Sequence, residues 1–169
     1  MQVLKQFSIP IRGLKMGHHD FAYTVNNDFF SSIEHSPYQG GQFDIKIALE
    51  KKSDNLEFQL DFKGHLVLDC DRCTDSINFP LEGDYGMILK YDFDEREEEE
   101  VVYIHPESSD YNCYKLIFDA IMLSLPMHKT CDSVENKECD QDILDRFFSN
   151  PPENENENAF SKALKNLKL

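Results

Sequence analysis

The longest regular feature of this chain is a period-two run. Leu56, Phe58, Leu60, Phe62, Gly64, Leu66, Leu68 and Cys70 share one parity, with mostly polar residues between them. Successive strand side chains point to opposite faces, so the run predicts a half-buried β-strand. Fifteen residues at about 3.3 Å each span about 50 Å, beyond an ordinary strand. Gly64 is the expected site of a bend or bulge. Alternation resumes after Cys73 with Ile77, Phe79 and Leu81. Cys70-Asp71-Arg72-Cys73 is therefore expected at a turn between two strands.

Phe43, Ile45, Ile47 and Leu49 form an earlier strand pattern. Shorter ones occur at Phe7, Ile9 and Ile11, at Phe21, Tyr23 and Val25, at Tyr85, Met87 and Leu89, and over 101–104. Tyr114, Ile117, Phe118, Ile121, Met122 and Leu125 fall at helical spacing, with Asp110 as N-cap and Pro126 as stop. Shorter helices are expected over 28–35 and 141–148. The predicted class is α+β: an antiparallel β-sheet or incomplete barrel, a long helix after the strands, and short C-terminal helices.

The expected organisation is one domain over 1–149, a flexible Pro/Glu/Asn linker over 150–158, and a short amphipathic tail over 159–169. The tail sets Phe160, Ala163, Leu164 and Leu167 opposite Lys162, Lys165 and Lys168.

The chain has 169 residues, 32 acidic and 17 basic, for a net charge of −15. Such a balance repels phosphate and favours a basic partner. Residues 92–100 hold seven acids and one base, Arg96, and are expected to form a loosely held loop. Glu97, Glu98, Glu99 and Glu100 are its candidate partner-binding residues. The apolar run over 116–125 is broken by Asp119 and Ser124 and falls short of the roughly 18 residues a membrane helix needs. The opening residues lack a secretory core, so the expected location is the cytoplasm.

Five cysteines in a reducing compartment point to metal or redox chemistry before disulfides. Cys70 and Cys73 form a C-x₂-C pair, and Cys131 with Cys139 a wider C-x₇-C pair. Four thiolates suit one structural zinc. Two other readings stay open. Cys70, in phase with Leu66 and Leu68, fits a buried apolar residue. A redox pair is also conceivable, although Asp69, Asp71 and Asp75 disfavour a thiolate and a strand follows where redox motifs start a helix. His128 is a substitute ligand, and Cys113 reads as filler.

The sequence contains no phosphate-binding glycine loop, nucleophile elbow or zinc-protease motif, and no catalytic residue is assigned. His18-His19-Asp20 fits a polar turn; a metal-dependent hydrolase or nuclease acting on RNA through His18 or His19 is the alternative.

Several blocks together resemble the YceD family of large ribosomal RNA subunit accumulation proteins. They are Ile11-Arg12-Gly13-Leu14-Lys15-Met16-Gly17, the run from Gly64 to Cys73, Leu123-Ser124-Leu125-Pro126 with Cys131 and Cys139 after it, and Ala163-Leu164-Lys165-Asn166-Leu167. The resemblance implies a bacterial, non-enzymatic factor in accumulation of large-subunit ribosomal RNA or in ribosome assembly. Its implied partners are a ribosomal precursor, the RNA itself or a basic ribosomal protein.

Overall fold

The computed structural model describes residues 3–38, 40–98, 100–135 and 137–148. The proposed linker, 150–158, and tail, 159–169, lie outside the described residues.

Three long strands follow from the alternation: β3 (Gly40–Lys51), β4 (Asn55–Asp69) and β5 (Ser76–Tyr91). They come in chain order after β1 (Ser8–Ile9), β2 (Gly17–Val25) and a short helix, α1 (Asn27–Ser32). After them come β6 (Arg96–Glu98), β7 (Val101–Ile104), β8 (Tyr111–Asn112), α2 (Tyr114–Leu123) and α3 (Gln141–Phe148). The main sheet runs β2-β3-β4-β5-β7-β6, and β1 pairs with β8 separately. Among the described residues nothing joins β2 to β6, so the sheet is open.

Every pairing is antiparallel except β5 with β7, which is parallel. The sheet is therefore mostly antiparallel, as expected, with one parallel pair that the alternation did not indicate. β7 pairs in the same direction as the end of β5 because β6 intervenes as an outer edge strand.

The β4–β5 register runs unbroken from Asn55↔Lys90 to Asp69↔Ser76. No bulge interrupts it at Gly64, contrary to expectation. Gly64 instead permits a close approach of neighbouring backbone: a Cβ there would lie 2.0 Å from the Gln42 carbonyl oxygen and 2.7 Å from the Phe43 Cα. The parity holds throughout, so Leu56, Phe58, Leu60, Phe62, Leu66 and Leu68 are all buried on one face.

That face is covered by the N-terminal segment, α1 and α2. Aromatic rings run through it from Tyr23 to Phe7, Phe29, Phe30, Phe43 and Phe62, with successive centroids 5.0–6.1 Å apart. Tilted and edge-on contacts at such spacing suit the ring quadrupoles. Lys51 Nζ donates to the carbonyls of Ile11 and Leu14, at 2.8 and 3.0 Å, and pins the connector into β2. The opposite face is polar, as an antiparallel sheet with one solvated side requires. There Lys63 Nζ lies 2.7 Å from Glu82 across β4 and β5.

The expected long helix is short. α2 spans 10 residues and has no side-chain cap. Asp110 instead accepts hydrogen bonds from Ser8 and Ser109, because β8 occupies the stretch between it and the helix. α1 is also shorter than 28–35, starting under the side-chain cap of Asn26. α3 spans the predicted 141–148.

Within the acid run Arg96–Glu98 form an edge strand and not a loose loop. Arg96 bonds to Asp92 and Glu98 at 2.8 and 2.7 Å, and its guanidinium lies 3.8 Å from the Tyr103 ring centre. One cation gathers the surrounding acids, and β6 pairs with β7.

Gly64→Ala is expected to cost about 1–3 kcal/mol or more, since backbone on the facing strand must move. Gly86→Ala, whose Cβ would meet nothing closer than the Gln59 side chain at 3.4 Å, should stay within about 0.5 kcal/mol of the parent. Urea unfolding midpoints of the two variants check this.

Candidate metal centre

The turn from β4 to β5 is closed by backbone bonds. Cys70 N–H donates to Asp75 O at 2.8 Å, and Thr74 N–H to Cys70 O at 2.9 Å. Arg72 N–H points at Cys70 Sγ, 3.4 Å away. Thr74 sits at φ 63°, the left-handed conformation that lets the chain reverse within one residue. The result aims the sulfurs of Cys70 and Cys73 the same way.

Beyond α2 the chain returns across this turn. Asp71 N–H donates to Lys129 O at 2.8 Å, and Lys129 N–H donates to the Asp71 carboxylate at 2.7 Å. Arg72 pairs with Asp132 at 3.0 Å, and Lys137 Nζ donates to Ser76 O at 2.6 Å. A single 3₁₀ turn, Cys131–Ser133, presents Cys131. Cys139 precedes Asp140, whose carboxylate caps α3 by accepting from Asp142 N–H at 2.9 Å.

These contacts bring Cys70, Cys73, Cys131 and Cys139 together. Their four sulfurs all lie within 4.8 Å of one another, and all four residues are buried. Cys70 and Cys139 are 3.8 Å apart, Cys73 and Cys131 3.5 Å. Disulfide sulfurs sit about 2.05 Å apart, so the four are free thiols here. A zinc–sulfur bond of about 2.3 Å gives a tetrahedral sulfur–sulfur edge of about 3.8 Å, so the donor set fits a tetrahedral thiophilic cation. With four protein ligands such a centre is closed and leaves no position for substrate.

The thiols are inequivalent. Burial pushes Cys70 up, but N–H groups of Cys73, Arg72 and Cys131, with the Cys73 thiol, outweigh it and bring Cys70 down to about 6. Burial, reinforced by the neighbouring thiols, raises Cys131. Burial also raises Cys139.

Cys113 stands outside the cluster, fully buried before α2, and burial pushes its thiol up to about 12. His128 is not one of the grouped ligands and lines a groove beside the turn. The histidines of the hydrolase alternative lie on the edge strand β2. His18 Nε2 is 3.0 Å from Asp20 and its Nδ1 3.7 Å from Glu50, whereas His19 Nε2 is bonded to Lys15 O.

Of the acidic partner-binding residues, Glu97 is paired with Lys115 and Glu98 with Arg96. Glu100 accepts at its backbone from Ile88, and Glu99 lies outside the described residues. The polar clamps Asp71–Lys129 and Arg72–Asp132 escaped sequence reasoning, because they join residues about sixty positions apart with no periodic signal.

Fold and site together define a small α+β protein in which a strand hairpin and a post-helix loop close on four sulfurs. The chain belongs to the YceD family: the family described as "Large ribosomal RNA subunit accumulation protein YceD" matches residues 58–168. That span takes in β4 from Phe58 onward, β5 and all four clustered cysteines. No curated protein and no solved structure matches the chain. Among the described residues no helix is long and apolar enough to cross a membrane.

The backbone N–H of Lys129, ahead of a smaller opposing effect of burial, holds the Asp71 carboxyl below the usual carboxylate range. A depressed folded value adds stability that is present above the unfolded pKa, about 3.9, and lost as pH falls through the folded value. Asp71→Ala should therefore lower stability at neutral pH, by no more than about 1 kcal/mol because the side chain is 39% exposed and its charge is screened. The gap to the parent should close below about pH 4, as read from denaturant unfolding at several pH values.

Proposed function

We propose that this protein is a non-enzymatic, zinc-stabilised binding factor. It supports accumulation of large-subunit ribosomal RNA or ribosome assembly by engaging a basic ribosomal protein or a precursor particle. The observation that carries the reading is the family match over 58–168, which spans a closed four-sulfur centre. Such a centre is built for shape, and a ribosomal role implies a cytoplasmic site of action.

Cys70, Cys73, Cys131 and Cys139 would hold one zinc. When bound, the ion supplies a cross-link between the hairpin and the post-helix segment, and its binding free energy becomes folding free energy. Protein purified under reducing conditions should contain about one zinc per chain by metal analysis. Cys70→Ser should lose the metal and lower the melting temperature. Metal-free parent protein of unchanged stability would contradict this.

Glu97, Glu98, Glu99 and Glu100 are the proposed electrostatic contact. Their ion pairs with Lys115 and Arg96 are exposed, and such pairs contribute little stability. Exposed charges act over about 10 Å at 0.1 M salt and mainly speed encounter. Changing all four to Gln should slow association with large-subunit precursor particles several-fold at low salt, with little effect at high salt and none on circular dichroism. Ribosomal RNA incubated with the protein and Mg²⁺ or Mn²⁺ should stay intact; cleavage lost on His19→Ala would favour the hydrolase instead. Cells lacking the protein should show a reduced ratio of large- to small-subunit RNA, restored by the parent and not by Cys70→Ser.

A further inference from the structure

Beside the cysteine turn lies a groove of about 810 Å³ lined by Asp71, Arg72, Thr74, His128, Thr130 and Phe147. Ile143, Leu144 and Phe147 share one stripe of α3, at the spacing of a helix face. Ile143 and Leu144 pack against the core, whereas Phe147 continues the stripe past the core's edge into the groove and is 73% exposed. Met127, next to His128, is 90% exposed. Phe147 is thus the large apolar side chain that this concave surface presents.

Its surroundings are acidic. Residues 69–75 and 128–148 together carry nine carboxylates against four Lys and Arg side chains. An occupant needs apolar groups for the groove and positive charge for its rim. Residues 159–169 have both: Phe160, Leu164 and Leu167 at helical spacing, Lys162, Lys165 and Lys168, and no acid. The twelve residues from Phe148 to Phe160 reach at most about 40 Å, and the chain sets out from the groove's own wall. Tethering at such a length gives an effective concentration on the order of mM, so modest intrinsic affinity suffices. The family match runs to residue 168, placing this closing segment within the same family pattern as the cysteines.

We propose that residues 159–169 fold back as a clasp, seating Phe160, Leu164 and Leu167 on Phe147 in the groove beside the cysteine centre, with the three lysines against its acidic rim. The clasp stands on the fold alone and does not depend on the ribosomal reading.

The chain has no tryptophan, so Phe147→Trp in the full-length protein gives a single reporter. Its emission should be blue-shifted and protected from acrylamide, independent of protein concentration. Adding Leu164→Asp and Leu167→Asp should shift the emission to that of a solvated indole and raise quenching about twofold or more, with circular dichroism unchanged. As a second readout without the reporter, Phe147→Ala in the full chain should speed tryptic cleavage at Lys162 and Lys165. A solvated indole in the full-length reporter protein, or emission indifferent to the tail substitutions, would overturn the clasp. Protection that grows with protein concentration would overturn it in favour of a tail donated by a second copy.

Discussion

Closure on four sulfurs is the constraint on which the described chain after α2 depends. Cys70 meets Cys139 across 69 positions of chain and Cys73 meets Cys131 across 58. Between 126 and 140 the chain has one 3₁₀ turn, and among the described residues its fully buried side chains are those two cysteines. Val134, Ile143 and Leu144 add partial burial, and Asp71, Arg72 and Lys137 add polar ties. Ordering a segment of this length costs about 1–2 kcal/mol per residue in backbone entropy alone. So thin a core offsets little of that cost, and a metal held by all four sulfurs would do so directly.

The sheet stands on different physics. Its strands bury one face continuously, and the aromatic line from Tyr23 to Phe62 fills the layer under α1 and the N-terminal segment. The long β4–β5 hairpin carries the sheet outward to the turn that holds the first cysteine pair.

Much of this was legible in the sequence wherever one residue type repeats with one period. Alternation from Leu56 to Cys70 gave the buried face of β4 without error, and Ile143, Leu144, Phe147 and Phe148 gave α3. The four cysteines that cluster were legible from residue chemistry. What depends on contacts between distant residues was not. A four-residue pattern such as Val101–Ile104 carries no direction, so its parallel pairing with β5 was hidden. The acids of 92–98 looked repulsive because the gathering of Asp92 and Glu98 by one Arg96 is a tertiary event. Gly64 looked like a break because its role, clearance for Gln42 and Phe43, belongs to the facing strand.

The central claim is that these sulfurs form one closed tetrahedral zinc centre. X-ray absorption at the zinc edge, on protein purified without chelator, reads the shell directly. The account predicts four sulfur neighbours at about 2.3 Å and no nitrogen or oxygen ligand. A shell of fewer than four sulfurs completed by nitrogen or oxygen would contradict it.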